Sequence, residues 1–243
     1  MYLLSETKFS PDFINAWNAA GTHLTRKGDG ATRFIRTELA PPMIEHHSFI
    51  VGNQLFFVYL NAAEYADTTD HKAFLKTCDD ANAVACFLPM KATPDGWVPT
   101  QPGWGLVDTN GGPVDPVDRI SSEQIPMSLW EAHALAVSAI KDHLEQSGLE
   151  ITSTQPNPHI TPSIHFTDPD EPGSTAALIV TTSTYPPREQ DPLQKAQFET
   201  LKSQVDSLLA MNAVVSRPDE EGNASRPLRG WEAEVHIGEM VEL

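Results

Sequence analysis

The chain has 243 residues and carries 33 acidic against 16 basic side chains, a formal charge of −17. Phosphate binding needs clustered Lys and Arg, so this balance argues against a generic nucleic-acid surface and against attraction to an anionic membrane. With 40% hydrophobic and 8% aromatic residues the chain is globular, and it is long enough to bury a core without disulfides or metal.

The charge is unevenly spread. Residues 1–60 hold five basic and five acidic groups, whereas residues 121–190 hold two basic and nine acidic. An acidic surface of this kind keeps a protein soluble and offers a face to a basic partner. Two cysteines, Cys78 and Cys86, match neither a zinc knuckle nor a redox CxxC, and burial as small hydrophobes is the reading they favour. The opening Met1-Tyr-Leu-Leu runs at once into Ser5, Glu6 and Lys8, unlike a secretory leader, and no apolar run reaches bilayer length. The expected location is cytoplasmic.

In chain order, Ser10-Pro11-Asp12 opens a helix: Ser10 caps free N–H groups, and Pro11 in the first turn loses no bond. Phe13, Ile14 and Trp17 share one face, and Gly21 is expected to end the helix. Arg26, Lys27, Arg33 and Arg36 form a basic cluster on a polar arm or edge strand. Ser48 to Leu60 reads as a hairpin around Gly52-Asn53. Asp70 is expected to cap a helix carrying Ala73, Phe74 and Cys78, and Val84 to Met90 reads as a buried strand.

Residues 91–127 concentrate Pro and Gly around Trp97 and Trp104, the composition of a connector loop. Ser128 and Glu131 then form a capping box. Trp130, His133, Val137, Ile140 and Leu144 follow at helical spacing, and Gly148 closes the helix. Strands are expected over 149–154, 163–167 and 176–184. Asp191-Pro192 should cap a second helix with the stripe Phe198, Leu201, Val205 and Leu208, and strands over 213–216 and 231–237 complete the chain. The sequence shows no internal repeat. The expected fold is α/β or α+β, a mixed sheet flanked by helices. Its parts are an N-terminal helix, hairpin and strand region (1–90), the connector (91–127) and a core (128–243), packed as one unit.

From residue 128 the order is helix, three strands, helix, two strands. With the helix 128–147, the Thr161-Pro-Ser-Ile-His-Phe166 strand and the strand 176–184, the C-terminal half resembles the restriction-endonuclease-like, PD-(D/E)xK, superfamily. The Trp130-Glu131 helix joined to a Pro-Ser-Ile-aromatic strand is similar to that of a set of uncharacterised bacterial proteins. The resemblance implies carboxylates holding Mg²⁺ and a Lys beside the attacking water. Yet Thr161-Pro162 stands where an acid is needed, and Ile179, Val180, Thr181 and Thr182 stand where Glu/Asp-x-Lys is needed.

The leading expectation is therefore a non-enzymatic protein-interaction module on a catalytically degenerate nuclease-like scaffold, with no catalytic residue, cofactor or metal. It would bind an unknown protein partner through Trp97 and Trp104 and the acidic surface. An immunity or antidefence role fits the acidity, and a homo-oligomer is compatible with it. One alternative is a divergent Mg²⁺-dependent nuclease using Glu131, Asp168, Asp170 and Glu171. Another is a small-ligand binder using the Trp-rich loop. Among nine histidines, adjacent His46 and His47 point to opposite faces of a strand, which opposes joint ligation, and no metal-binding spacing is present.

Overall fold

A computed structural model describes residues 10–36, 46–62, 71–171, 173–187 and 195–243. The fold is α+β, with four α-helices and two mixed sheets among the described residues. The described residues divide into two compact units, one within 10–125 and one covering Pro126–Leu243.

In the N-terminal unit, α1 (Pro11–Gly28) begins where Ser10 Oγ accepts from the Phe13 N–H at 3.1 Å. It does not stop at Gly21. That glycine lies inside the helix, where a Cβ would come within 3.3 Å of the His47 ring, so its smallness serves packing. Arg26 and Lys27 occupy the last turn, where positive charge complements the helix dipole. Strands β1 (Thr32–Arg36), β2 (His46–Val51) and β3 (Gln54–Ala62) form an antiparallel meander. Helix α2 (His71–Asp80) leads to β4 (Val84–Thr93), parallel to β3. The expected cap Asp70 lies outside the described residues.

The segment 91–127, expected as a connector, completes this sheet. Strand β5 (Gly96–Pro99) hairpins onto the end of β4, and β6 (Leu106–Val107) pairs with β4 at Phe87 and with β7 (Pro113–Val114). Alternation along β3 separates the two faces. Phe56, Val58 and Leu60 meet Ala16, Trp17, Ala20 and Leu24 of α1. Phe57 and Tyr59 face the other way, toward an aromatic group with His46 and Phe74.

In the C-terminal unit, α3 (Leu129–Gln146) precedes a second meander, β8 (Glu150–Thr154), β9 (Ile164–Thr167) and β10 (Ala176–Thr184). Helix α4 (Lys195–Lys202) leads to β11 (Ser207–Pro218), parallel to β10. Strand β12 (Ala224–Ser225) hairpins onto the end of β11, and β13 (Glu234–Glu242) pairs with β11 across a register shift between Ile237 and Met240. The stripe of α3 is as expected: Val137, Ile140 and Leu144 pack on Leu178 and Val180. Gly148, at φ +90°, takes the left-handed conformation after the helix, and the Leu149 N–H returns to the Leu144 carbonyl at 3.1 Å. The second expected stripe is only partly helical. Leu201 lies on α4, whereas Leu208 already belongs to β11, and with Val205 they cover Ala177 and Ile179. The last strand starts at Glu234, three residues later than expected, and runs to Glu242.

The two units repeat one topology. Each has a helix, a three-stranded antiparallel meander, a helix, a strand parallel to the third, a short hairpin partner, and a further strand on the same edge. Both first helices start at a Ser cap and are 18 residues long. Ala16, Trp17, Ala20 and Leu24 of α1 have the same spacing as Ala136, Val137, Ile140 and Leu144 of α3. The sequence reading sees no repeat because the spacing is shared and the side chains are not. Two cores of different residues can fill the same frame, provided the apolar period is kept.

Candidate functional site

Glu131 is the sequence candidate most firmly placed. The capping box forms as expected: the Ser128 N–H and Oγ–H donate to Glu131 Oε2 at 2.9 and 2.7 Å, and the Glu131 N–H donates to Ser128 Oγ at 3.3 Å. The sequence reading does not include its second partner. Arg229, 98 positions along the chain, donates from Nε to Oε1 at 2.8 Å and from Nη2 to Oε2 at 2.6 Å. Both side chains are 1% exposed. This is a bidentate, charge-assisted pair in a dry setting, and both oxygens that would have to face a metal are engaged. The pairing is reinforced by the backbone, because Pro126 bridges Leu228 and the Met127 N–H donates to the Pro227 carbonyl at 3.0 Å. A long side chain fixed by backbone pairing far along the chain leaves no local signal in sequence.

Asp168, Asp170 and Glu171 lie in the turn after β9, where Asp168 Oδ1 accepts from the Asp170 N–H at 2.9 Å and the Asp168 carbonyl accepts from the Glu171 N–H at 3.0 Å. Asp170 and Glu171 are exposed. This is the self-capping role of turn carboxylates. Among the described residues no group of three His, Cys, Asp or Glu is arranged to hold a metal ion.

A second buried polar group lies under α3. His133 Nδ1 is 2.9 Å from Thr182 Oγ1 on β10, and Nε2 is 3.4 Å from Ser163 Oγ. Burial pushes the His133 imidazole down to about 4, since charging it there would strand a cation. A Ser–His pair suggests a nucleophile and its base, but a productive contact lies near 2.6–3.2 Å and needs access for substrate. Here the contact is longer and Ser163, His133 and Thr182 are all buried. The arrangement locks a helix to a sheet through a neutral imidazole.

In the N-terminal unit, His46 and His47 point to opposite faces, as expected. His47 stacks on Trp17 with ring centroids 3.8 Å apart, while His46 lies against Phe57 and Phe74. Burial also lowers His47 to about 4. Cys78 and Cys86 are buried free thiols pushed up to about 12, chiefly by burial, which keeps them protonated and unreactive.

The two tryptophans singled out for binding pack inward. Trp104 is 8% exposed, stacks on Phe49 at 6.2 Å, and its carbonyl lies 3.0 Å from His23 Nε2. Trp97 is half-buried against the same core. Trp231 behaves otherwise. It is 52% exposed, and the Arg217 guanidinium lies 4.9 Å from its ring centroid. Trp231 lies three residues before β13, on which Met240 and Val241 are exposed, as is Leu243 just after it. Among the described residues β13 pairs with β11 alone, so its outer edge carries no strand.

Among the described residues no helix is long and apolar enough to cross a membrane. No family model, no curated protein and no solved structure matches the chain.

Proposed function

We propose that the chain is a non-enzymatic, cytoplasmic protein-interaction module, with the C-terminal unit a nuclease-like scaffold that has lost its catalytic residues. The observation that carries the reading is Trp231, a large aromatic held exposed with an Arg stacked on its face, near a strand edge that is open among the described residues. Trp and Arg dominate the binding energy of protein interfaces because they bury wide, rigid area and still offer a polar handle. The engagement of both Glu131 oxygens by Arg229 and Ser128 supports the non-enzymatic part. The segment 91–127 contributes to the core of its own sheet, which moves the proposed binding surface from Trp97 and Trp104 to Trp231.

The test is photo-crosslinking in cells from a benzophenone side chain placed at Trp231, with Glu220 as the control position. A protein adduct of discrete mass, obtained from 231 and not from 220, is the expected result. Equal labelling from both positions would overturn the interaction reading. Mn²⁺- or Mg²⁺-dependent cleavage of plasmid DNA, lost on Asp168→Asn with Asp170→Asn, would overturn the non-enzymatic one.

A further inference from the structure

We infer that the outer edge of β13 receives an extended, basic segment of a partner protein as an added antiparallel strand, anchored at its head by Trp231. The inference rests on the interaction reading above and names the partner's chemistry. Three independent features of the edge meet there.

The first is topological. In the N-terminal unit the equivalent strand β6 is covered by β7. In the C-terminal unit β13 stands in the same place, runs for 9 residues and has no covering strand among the described residues. An edge of that length presents a row of backbone donors and acceptors to water, which is a template for strand addition.

The second is which groups point outward. The Leu243 N–H donates to the Leu208 carbonyl at 2.9 Å, and Met240 pairs opposite Met211. Donors alternate along an antiparallel strand, so the N–H groups of Glu242 and Met240 face away from β11. Val235 and Ile237 are packed against the core under α3, whereas Met240 and Val241 remain 43% and 56% exposed. The far half of the strand thus offers both free backbone and apolar surface.

The third is charge. Glu232, Glu234, Glu239 and Glu242 line the strand and its approach, and no Lys or Arg occurs after Arg229. The nearby cations are committed: Arg217 stacks on Trp231, and Lys202 donates to the Leu243 main-chain oxygen at 2.9 Å. A second copy of this chain, paired edge to edge, would set these carboxylates against one another, and like charges opposite each other destabilise a ladder. A segment alternating Lys or Arg with apolar residues sets its cations on the face that carries Glu242 and its apolar side chains on the opposite face, over Val241.

The experiment uses the full chain and a dye-labelled 9-residue peptide alternating Lys and Val, the length of β13. Fluorescence anisotropy should show saturable binding that weakens with salt, while the peptide with Glu in place of Lys should not bind. Met240→Pro removes one outward N–H without removing a bond to β11, a substitution edge strands accept. It should weaken binding about tenfold, the loss expected for one interfacial hydrogen bond and its neighbours. Because Pro can disturb folding, Glu239→Lys with Glu242→Lys provides a second variant, expected to weaken the Lys–Val peptide by a similar factor with unchanged circular dichroism. Full affinity in a folded Met240→Pro variant would show attraction by charge alone and overturn the strand-addition proposal. So would wild-type protein that fails to bind the peptide at all. In either case a specific crosslink from position 231 would leave the broader interaction reading standing.

Discussion

Replacing Arg229 by Met removes a guanidinium whose pairing with Glu131 is dry and bidentate. Glu131 keeps only the two Ser128 donors, and its carboxylate stays in a site where it is 1% exposed. Breaking one partner out of such a pair costs about 3–5 kcal/mol, because the surviving charge is left uncompensated in a poorly polarisable setting. For a unit of this size each kcal/mol moves the midpoint by roughly 4 °C, so the transition of the C-terminal unit should fall by about 12–20 °C. The comparison that isolates the mechanism is the double variant Glu131→Leu with Arg229→Met. It removes both charges and leaves apolar side chains in their place, which costs far less than stranding one of them. The remaining loss is that of the capping box, about 1 kcal/mol. Urea unfolding followed by circular dichroism, on wild type, both single variants and the double, measures the coupling. Additive losses, or a single-variant loss below about 1 kcal/mol, would refute the argument that the pair is held as a desolvated unit.

Three further outcomes follow from the same reasoning. His47 and His133 are held near 4 in the folded chain, below the ordinary histidine value, so the unfolded chain binds more protons between about pH 4 and 6.5. Stability should be fully present above about pH 6.5 and fall as the pH drops toward 4, by about 3 kcal/mol per histidine, and His47→Phe should flatten the N-terminal unit's share in pH-resolved urea titrations. Gly105 sits at φ +74°, and a Cβ there would lie 2.8 Å from the Pro99 Cβ and 2.9 Å from the Leu88 Cδ1. Gly105→Ala should therefore destabilise the N-terminal unit by about 2–3 kcal/mol, read as a lower urea midpoint with unchanged slope. Each unit has its own sheet and core, so residues 126–243 expressed alone should give a cooperative melt and a dispersed amide spectrum; a spectrum of an unfolded chain would contradict the division into two units.

Local chemistry was legible in the sequence wherever one stretch of chain settles the matter. Ser10 with Pro11, and Ser128 with Glu131, start helices because a capping side chain needs only its next few residues. The β2–β3 hairpin, the α3 stripe and the opposed faces of His46 and His47 follow from turn chemistry and from periods of two and 3.6. Gly21 shows the limit of such reading. A glycine near a plausible helix end looks like a stop, and only the His47 ring packed above it accounts for a glycine inside the helix.

Tertiary structure decided which candidates are available for function. Trp104 and Trp231 look alike in sequence; pairing of β6 with β4 draws one against Phe49, while the other stays exposed with Arg217 beside it. Glu131 reads in sequence first as a cap and only in the alternative as a metal ligand; Arg229, arriving from 98 positions along the chain, then takes up both of its oxygens. The twofold recurrence of topology escapes sequence reading for a related reason. What the two units share is strand order and apolar spacing, whereas the side chains that fill each core are chosen by neighbours distant along the chain. Periodicity is a property of one segment and can be read from it; partnership belongs to two segments and exists only once the chain has folded.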